Sequence, residues 1–184
     1  MAGGRDYDSD KLRELMLYIA EQSEEDASFG STKLNKVLFY ADFLSYATAG
    51  LSITGAEYQR LRNGPAPQQL LPVLEDIKLD GYGVVVTRDR GGYSQQRLIA
   101  LRPAKIEAFS GPEIALVDRV IKAFWGRSAA QVSELSHREV GWRLSRDKQE
   151  IPYETAFLSS SSPTVEDLEW MREVVSAGGP LGAR

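Results

Sequence analysis

Cysteine is absent from this chain of 184 residues, and histidine occurs once, as His137. The first absence excludes disulfides, thiolate metal sites and cysteine nucleophiles, and it fits a reducing cytoplasm. The second leaves His137 as the sole candidate for any Ser-His-Asp arrangement, and no G-x-S-x-G elbow accompanies it. Paired histidines, H-E-x-x-H and calcium-loop spacing are missing too, so no metal or other cofactor is expected. A structural histidine, bonded to a neighbouring backbone or carboxylate group, is the expected role of His137. No stretch approaches the roughly 18 to 20 apolar residues that cross a bilayer. The start, Met1-Ala2-Gly3-Gly4-Arg5-Asp6, lacks the basic-then-apolar pattern of an export signal, so the expected location is cytoplasmic.

A basic excess is also missing. Lys and Arg total 22 against 26 Asp and Glu, for a net charge of -4. Residues 1–55 carry five basic and nine acidic side chains, residues 56–111 eight and six, and residues 112–184 nine and eleven. A dominant phosphate-binding surface calls for a stronger basic bias, and only the middle third keeps a local nucleic-acid option open. The chain has no internal repeat. With 42% hydrophobic and 26% charged residues, it has the composition of one soluble globular domain.

Leu12, Leu15, Met16, Ile19 and Ala20 follow amphipathic helical spacing, with Ser9 or Asp10 as the expected cap. Glu24-Glu25-Asp26 opposes a helix dipole at a C-terminus and belongs to a loop. A second helix begins at Ser31 or Thr32 and ends at Gly50. Leu34, Val37, Leu38, Ala41 and Leu44 line one side, and Phe39, Tyr40 and Phe43 widen the stripe. Such a helix should lie centrally. Residues 56–62 alternate as a strand, with Tyr58, Arg60 and Arg62 on one face. Asn63-Gly64-Pro65-Ala66-Pro67 is a turn, and Pro67 is placed to open a helix through Leu70, Leu71, Leu74 and Ile77. Pro72 makes that helix start later than Pro67 or kink. Residues 83–87 and 94–101 form a β-hairpin. Capping boxes at Ser110 and Ser128 open two further helices, the second carrying His137 and continuing to Val140, and Thr164 opens a last one. The order predicts an α+β domain, mainly helical, with a small antiparallel sheet. The expected boundaries are a flexible start at 1–9, the domain at 10–158, a link and helix at 159–177 packed on it, and a disordered tail at 178–184.

Two glycine patterns fail on physical grounds. Gly81-Tyr82-Gly83 precedes a strand, where a dinucleotide loop must follow one. In Gly30-Ser31-Thr32-Lys33 the lysine comes after the hydroxyl residues, so a helix cap is the reading. The best binding cluster is Arg88, Arg90 and Arg97 on the hairpin with Arg60 and Arg62 on the preceding strand, joined by Tyr58, Tyr82 and Tyr93. Arginine and tyrosine favour interfaces because they offer area, hydrogen bonds and charge at low entropic cost. The same charges also suit an exposed sheet face guarded against aggregation, and both readings stay open. Trp125, Trp142 and Trp170 are expected in or at the edge of the core.

Three segments together resemble one family. Thr32-Lys33-Leu34-Asn35-Lys36-Val37-Leu38-Phe39-Tyr40-Ala41 is similar to the "K-L-x-K-L-L-Y-F-A" helix of the Panacea, or SocA-like, antitoxin domain. Asn63-Gly64-Pro65 resembles its G-P turn, and Leu135-Ser136-His137 with Trp142 its late "L-S-x-x-x-H…W" region. On this resemblance Lys33, Leu34, Lys36, Tyr40, Gly64, Pro65, His137 and Trp142 are motif residues with structural roles. It implies an antitoxin that neutralises an unrelated toxic protein, often encoded beside it, by direct binding, with some relatives handing partners to a protease. No catalytic residue is implied. A cognate toxin is therefore the expected partner. The alternative is a DNA-binding regulator whose arginine-rich hairpin enters the minor groove.

Overall fold

A computed structural model describes residues 5–89 and 94–158 of the chain. The expected tail, the last helix with Trp170, and Arg90 and Tyr93 in the hairpin lie outside the described residues.

Helix α1, Ser9–Gln22, buries Leu12, Leu15, Met16, Ile19 and Ala20, as its spacing requires. Its cap is Asp8, one residue earlier than expected: the carboxylate accepts from the Lys11 N–H at 2.9 Å. The same residue donates its own N–H to the Thr54 carbonyl at 2.9 Å, and Arg5 pairs with Glu113 at 3.2 Å. These bonds tie residues 5–8 to two distant parts of the chain.

Helix α2, Ser31–Ala49, is the central element, and it packs against α1 and against several of the later elements. Leu34, Val37, Leu38, Phe39, Ala41, Phe43 and Tyr46 are all buried on it. Gly50, at φ +74°, ends it as expected, because a left-handed residue there lets its N–H reach back to Tyr46. It begins at Ser31, as expected, and its N-cap is Gly30, which has no side chain to bond the first turn.

The expected strand over residues 56–62 shortens to β1, Tyr58–Gln59, paired antiparallel with β2, Ala66–Pro67. Pro67 therefore sits in a strand and does not open a helix. Helix α3, Leu70–Leu79, starts after Gln69 and holds Pro72 in its first turn, where a missing N–H costs no helical bond. Strands β3, Gly83–Asp89, and β4, Ser94–Ala100, form the hairpin in antiparallel register from Gly83 opposite Ala100 to Asp89 opposite Ser94.

Helix α4, Gly111–Phe124, and helix α5, Ala129–His137, open with the two expected capping boxes. Helix α5 stops at His137, and Val140 begins a separate short helix α6, Val140–Leu144. Beyond it the chain returns to β1. The Ile151 N–H donates to the Tyr58 carbonyl at 2.7 Å, and the Tyr153 hydroxyl to the Ala56 carbonyl at 2.7 Å. The described fold is α+β and mainly helical, with two small antiparallel sheets.

Candidate functional site around the Gly64-Pro65 turn

The three sequence motifs meet at one place. Residues 61–65 leave β1 as an irregular segment whose carbonyls no strand satisfies, and side chains from three helices supply the donors. Trp142 on α6 donates its indole N–H to the Leu61 carbonyl at 3.0 Å. His137 at the end of α5 sits beside the Arg62 backbone, an interaction that favours its charged form, while its Nε2 is buried with no bonding partner among the described residues. Ser133 on α5 donates to the Asn63 carbonyl at 3.0 Å, and Lys36 on α2 donates Nζ to the Pro65 carbonyl at 2.8 Å. Gly64 completes the turn at φ +97°, a conformation that suits glycine. A Cβ at this position would stand 2.5 Å from Lys36 Cε and closer still to the Ser136 hydroxyl. Only a residue without a side chain lets the turn close on α2 and α5.

Lys36 is 1% exposed, and Pro65 is the acceptor for its amine among the described residues. Desolvation without a neighbouring carboxylate lowers its pKa to about 7. Burial and the nearby Lys36 also hold the His137 imidazole below its usual value. The imidazole stacks on Trp142 at a ring separation of 4.0 Å and 19°. The Arg60 guanidinium also lies 4.2 Å over the indole, with Nε bonded to the Trp142 carbonyl at 3.1 Å. Tyr40, one turn beyond Lys36, donates its hydroxyl to Glu139 at 2.8 Å. Leu34 is plain core, and Lys33 pairs with Asp26 at 2.6 Å.

The structure divides the expected binding cluster. Tyr58 is core: its ring packs edge-on to Phe39 and Phe43, and its hydroxyl donates to Asp42 at 2.7 Å. Arg97 is buried as well, donating to the backbone carbonyls of Ser23, Glu24 and Asp26. It satisfies the end of α1 and its loop from the hairpin side. Both residues are thus removed from the expected exposed sheet edge. Arg88 remains exposed on the hairpin, and Arg62 is exposed with Arg60 half-buried at the motif site, on a different sheet. Trp142 lies at the edge of the core as expected, whereas Trp125, 47% exposed, does not belong to it.

Sequence reading missed Asp42, which is fully buried and accepts from the Thr54 N–H, the Thr54 hydroxyl and the Tyr58 hydroxyl. Its signal was a carboxylate four residues after Leu38, inside an otherwise apolar helix face. Burial raises its pKa even against those bonds. Also missed was the Arg60–Trp142–His137 stack, which joins residues far apart in the chain.

A neutral-tending amine beside the Ser136 hydroxyl superficially suits nucleophilic chemistry. Both groups are sealed, however: Ser136 and Lys36 are buried, and the Ser136 hydroxyl donates to the Ser133 carbonyl at 2.8 Å. A cleft of about 430 Å³ lies elsewhere, between the C-terminal end of α1 and the hairpin, lined by Glu21, Glu24, Glu25 and Arg88 among others. Among the described residues no group of His, Asp and Glu gathers that could hold a metal, and no helix is long and apolar enough to cross a membrane. The site's groups hold backbone and display a cation over an indole.

Comparison with curated proteins gives no match. A family model described as "Antitoxin SocA-like, Panacea domain" matches residues 34–143, a span that runs from α2 through the Gly64-Pro65 turn to α6. Lys36 and Trp142, which bond that turn, and His137 beside it all fall inside that span, and the chain belongs to the SocA-like Panacea family.

Proposed function

We propose that this protein is a cytoplasmic antitoxin that neutralises a toxic partner protein by binding it directly. The observation that carries this reading is the convergence of the family's motifs on residues 61–65. Those motif residues build a fixed turn, while the groups left facing outward are of the kind that binds. A rigid turn loses little entropy when a partner closes on it. Delivery of the partner to a protease is a further role that the family membership alone supports. The DNA-binding alternative draws little from the fold, because Arg97, central to the arginine-rich hairpin, is committed to backbone carbonyls inside the chain.

Co-expression with the product of the neighbouring gene tests the proposal. The expected result is rescue of growth from that product and co-purification of the two chains. A neighbouring product that is toxic yet neither bound nor counteracted by this protein would count decisively against it.

A further inference from the structure

The motif site has an outer neighbour in residues 146–149. The Arg60 N–H donates to the Gln149 carbonyl at 2.9 Å, and the Arg60 carbonyl accepts from the Lys148 N–H at 2.8 Å. Gln149 locks that turn twice: its side-chain oxygen accepts from the Arg146 N–H at 2.7 Å, and its own N–H donates to the Arg146 carbonyl at 3.0 Å. Lys148 is held at φ +59°, in the left-handed region that residues with side chains seldom enter. A conformation that local sequence does not favour is thus maintained where it shows a lysine to solvent.

Arg60 stacks on Trp142, Arg62 and Arg143 follow those two residues in the chain, and Arg146 and Lys148 belong to the turn bonded to Arg60, so five cations stand on the segments that meet at Trp142. Among the described residues none of the five has a carboxylate within ion-pair distance. Arg60 uses Nε on the Trp142 carbonyl, while no bond to its two terminal nitrogens occurs among the described residues. Those nitrogens form the fork that meets a carboxylate with two parallel bonds.

We propose that this arginine–tryptophan face is where the partner protein docks, and that the partner meets it with aspartate and glutamate side chains. The proposal rests on the antitoxin reading and adds to it a place and a chemistry. Arginine and tryptophan, half-buried and packed on each other, are the residue types that dominate interface energetics. Asp147 and Glu150 interrupt the cations, and Glu134 stands nearby, paired with Arg138. Such interleaving suits the separate charges of a protein surface better than an unbroken run of phosphates.

Titration of the full chain with a short oligoglutamate peptide, followed by NMR, tests the face without a toxin. The expected result is a shift of the Trp142 indole N–H resonance that weakens with salt. Charge reversal by Arg62→Glu with Lys148→Glu should weaken the peptide roughly tenfold. Neither side chain makes a bond of its own among the described residues, so the fold should persist, as a thermal melt would verify. Arg88→Glu, on the hairpin, should leave binding unchanged. An unmoved Trp142 resonance, binding that survives the double reversal, or tighter binding of a short DNA duplex to the same face would each overturn the proposal. Those outcomes remove the docking face and leave the antitoxin reading intact. Failure in the co-expression assay removes that reading instead.

Discussion

Lys33 and Lys36 stand one turn apart on α2, 2% and 1% exposed, and their surroundings are opposite. Lys33 has three acceptors: Asp26 at 2.6 Å, the Ser28 hydroxyl at 3.2 Å and the Phe124 carbonyl at 3.0 Å. All three protons of an ammonium group are therefore placed. Burial alone would raise the Asp26 carboxyl, but the bonds from Lys33 and Ser28 overcome it and hold the pKa below the usual range. Lys36 has the Pro65 carbonyl and no carboxylate, and desolvation brings it to about 7. Burial of equal depth thus leaves one lysine as half of an ion pair and the other close to neutrality. Charge inside this core is decided by the partner, not by the residue type. The first lysine fastens the loop after α1 to the end of α4; the second fastens the family's turn.

The comparison breaks most visibly at Lys33. Lys33→Met keeps the volume but strands a buried carboxylate, which should cost about 3 to 5 kcal/mol in urea denaturation. A loss under about 1 kcal/mol would mean that Asp26 finds water or another donor, and that the pair anchors nothing. The sign with pH follows from the lowered Asp26 value. Stability from the pair is fully present above the unfolded pKa of about 4 and is lost as pH falls through the folded value. At the other lysine, Gly64→Ala should cost about 2 to 3 kcal/mol, because it combines a left-handed backbone with a clash against Ser136 and Lys36. A near-neutral Gly64→Ala would show that the turn is loosely held and that the side-chain donors around it are incidental.

Much of the fold was legible because it depends on local rules. The apolar period of α1, the left-handed Gly50 after α2, the hairpin and both capping boxes each follow from residues adjacent in sequence. The site was legible in its parts and illegible in its arrangement. Lys36, Gly64, His137 and Trp142 all carry the motif, yet nothing in their spacing states that they meet at one short segment. Alternation along residues 56–62 suggested that Tyr58, Arg60 and Arg62 share a face. The chain instead leaves the sheet after Gln59, which puts Tyr58 in the core and Arg60 on Trp142. Arg97 failed for a related reason: a cation expected at a surface is buried when backbone carbonyls wait for it, and Ser23, at the unsatisfied end of α1, lies 74 residues away in sequence.

Lys36→Met gives the smallest effect and the sharpest test of the contrast between the two lysines. Near neutrality the substitution removes an expensive buried amine but leaves the Pro65 carbonyl unbonded, so the net change should stay within about 2 kcal/mol in either direction. Its pH dependence is more telling than its size. The folded pKa of about 7 lies below the unfolded value of 10.5, so between them the unfolded chain binds more protons. Wild-type stability should therefore rise with pH across that window, whereas below it the cost of the buried charge is constant. The variant has no such rise, and its disadvantage relative to wild type should grow from about pH 7 to about pH 9. Tyr18, Tyr58 and Tyr153, whose pKa values are raised, act with the opposite sign above about pH 10, and they cancel because both chains carry them. Urea midpoints for the two chains across this range measure the difference directly. A flat difference would mean that Lys36 stays protonated throughout, stabilised much as Lys33 is, and the distinction between the two lysines would collapse.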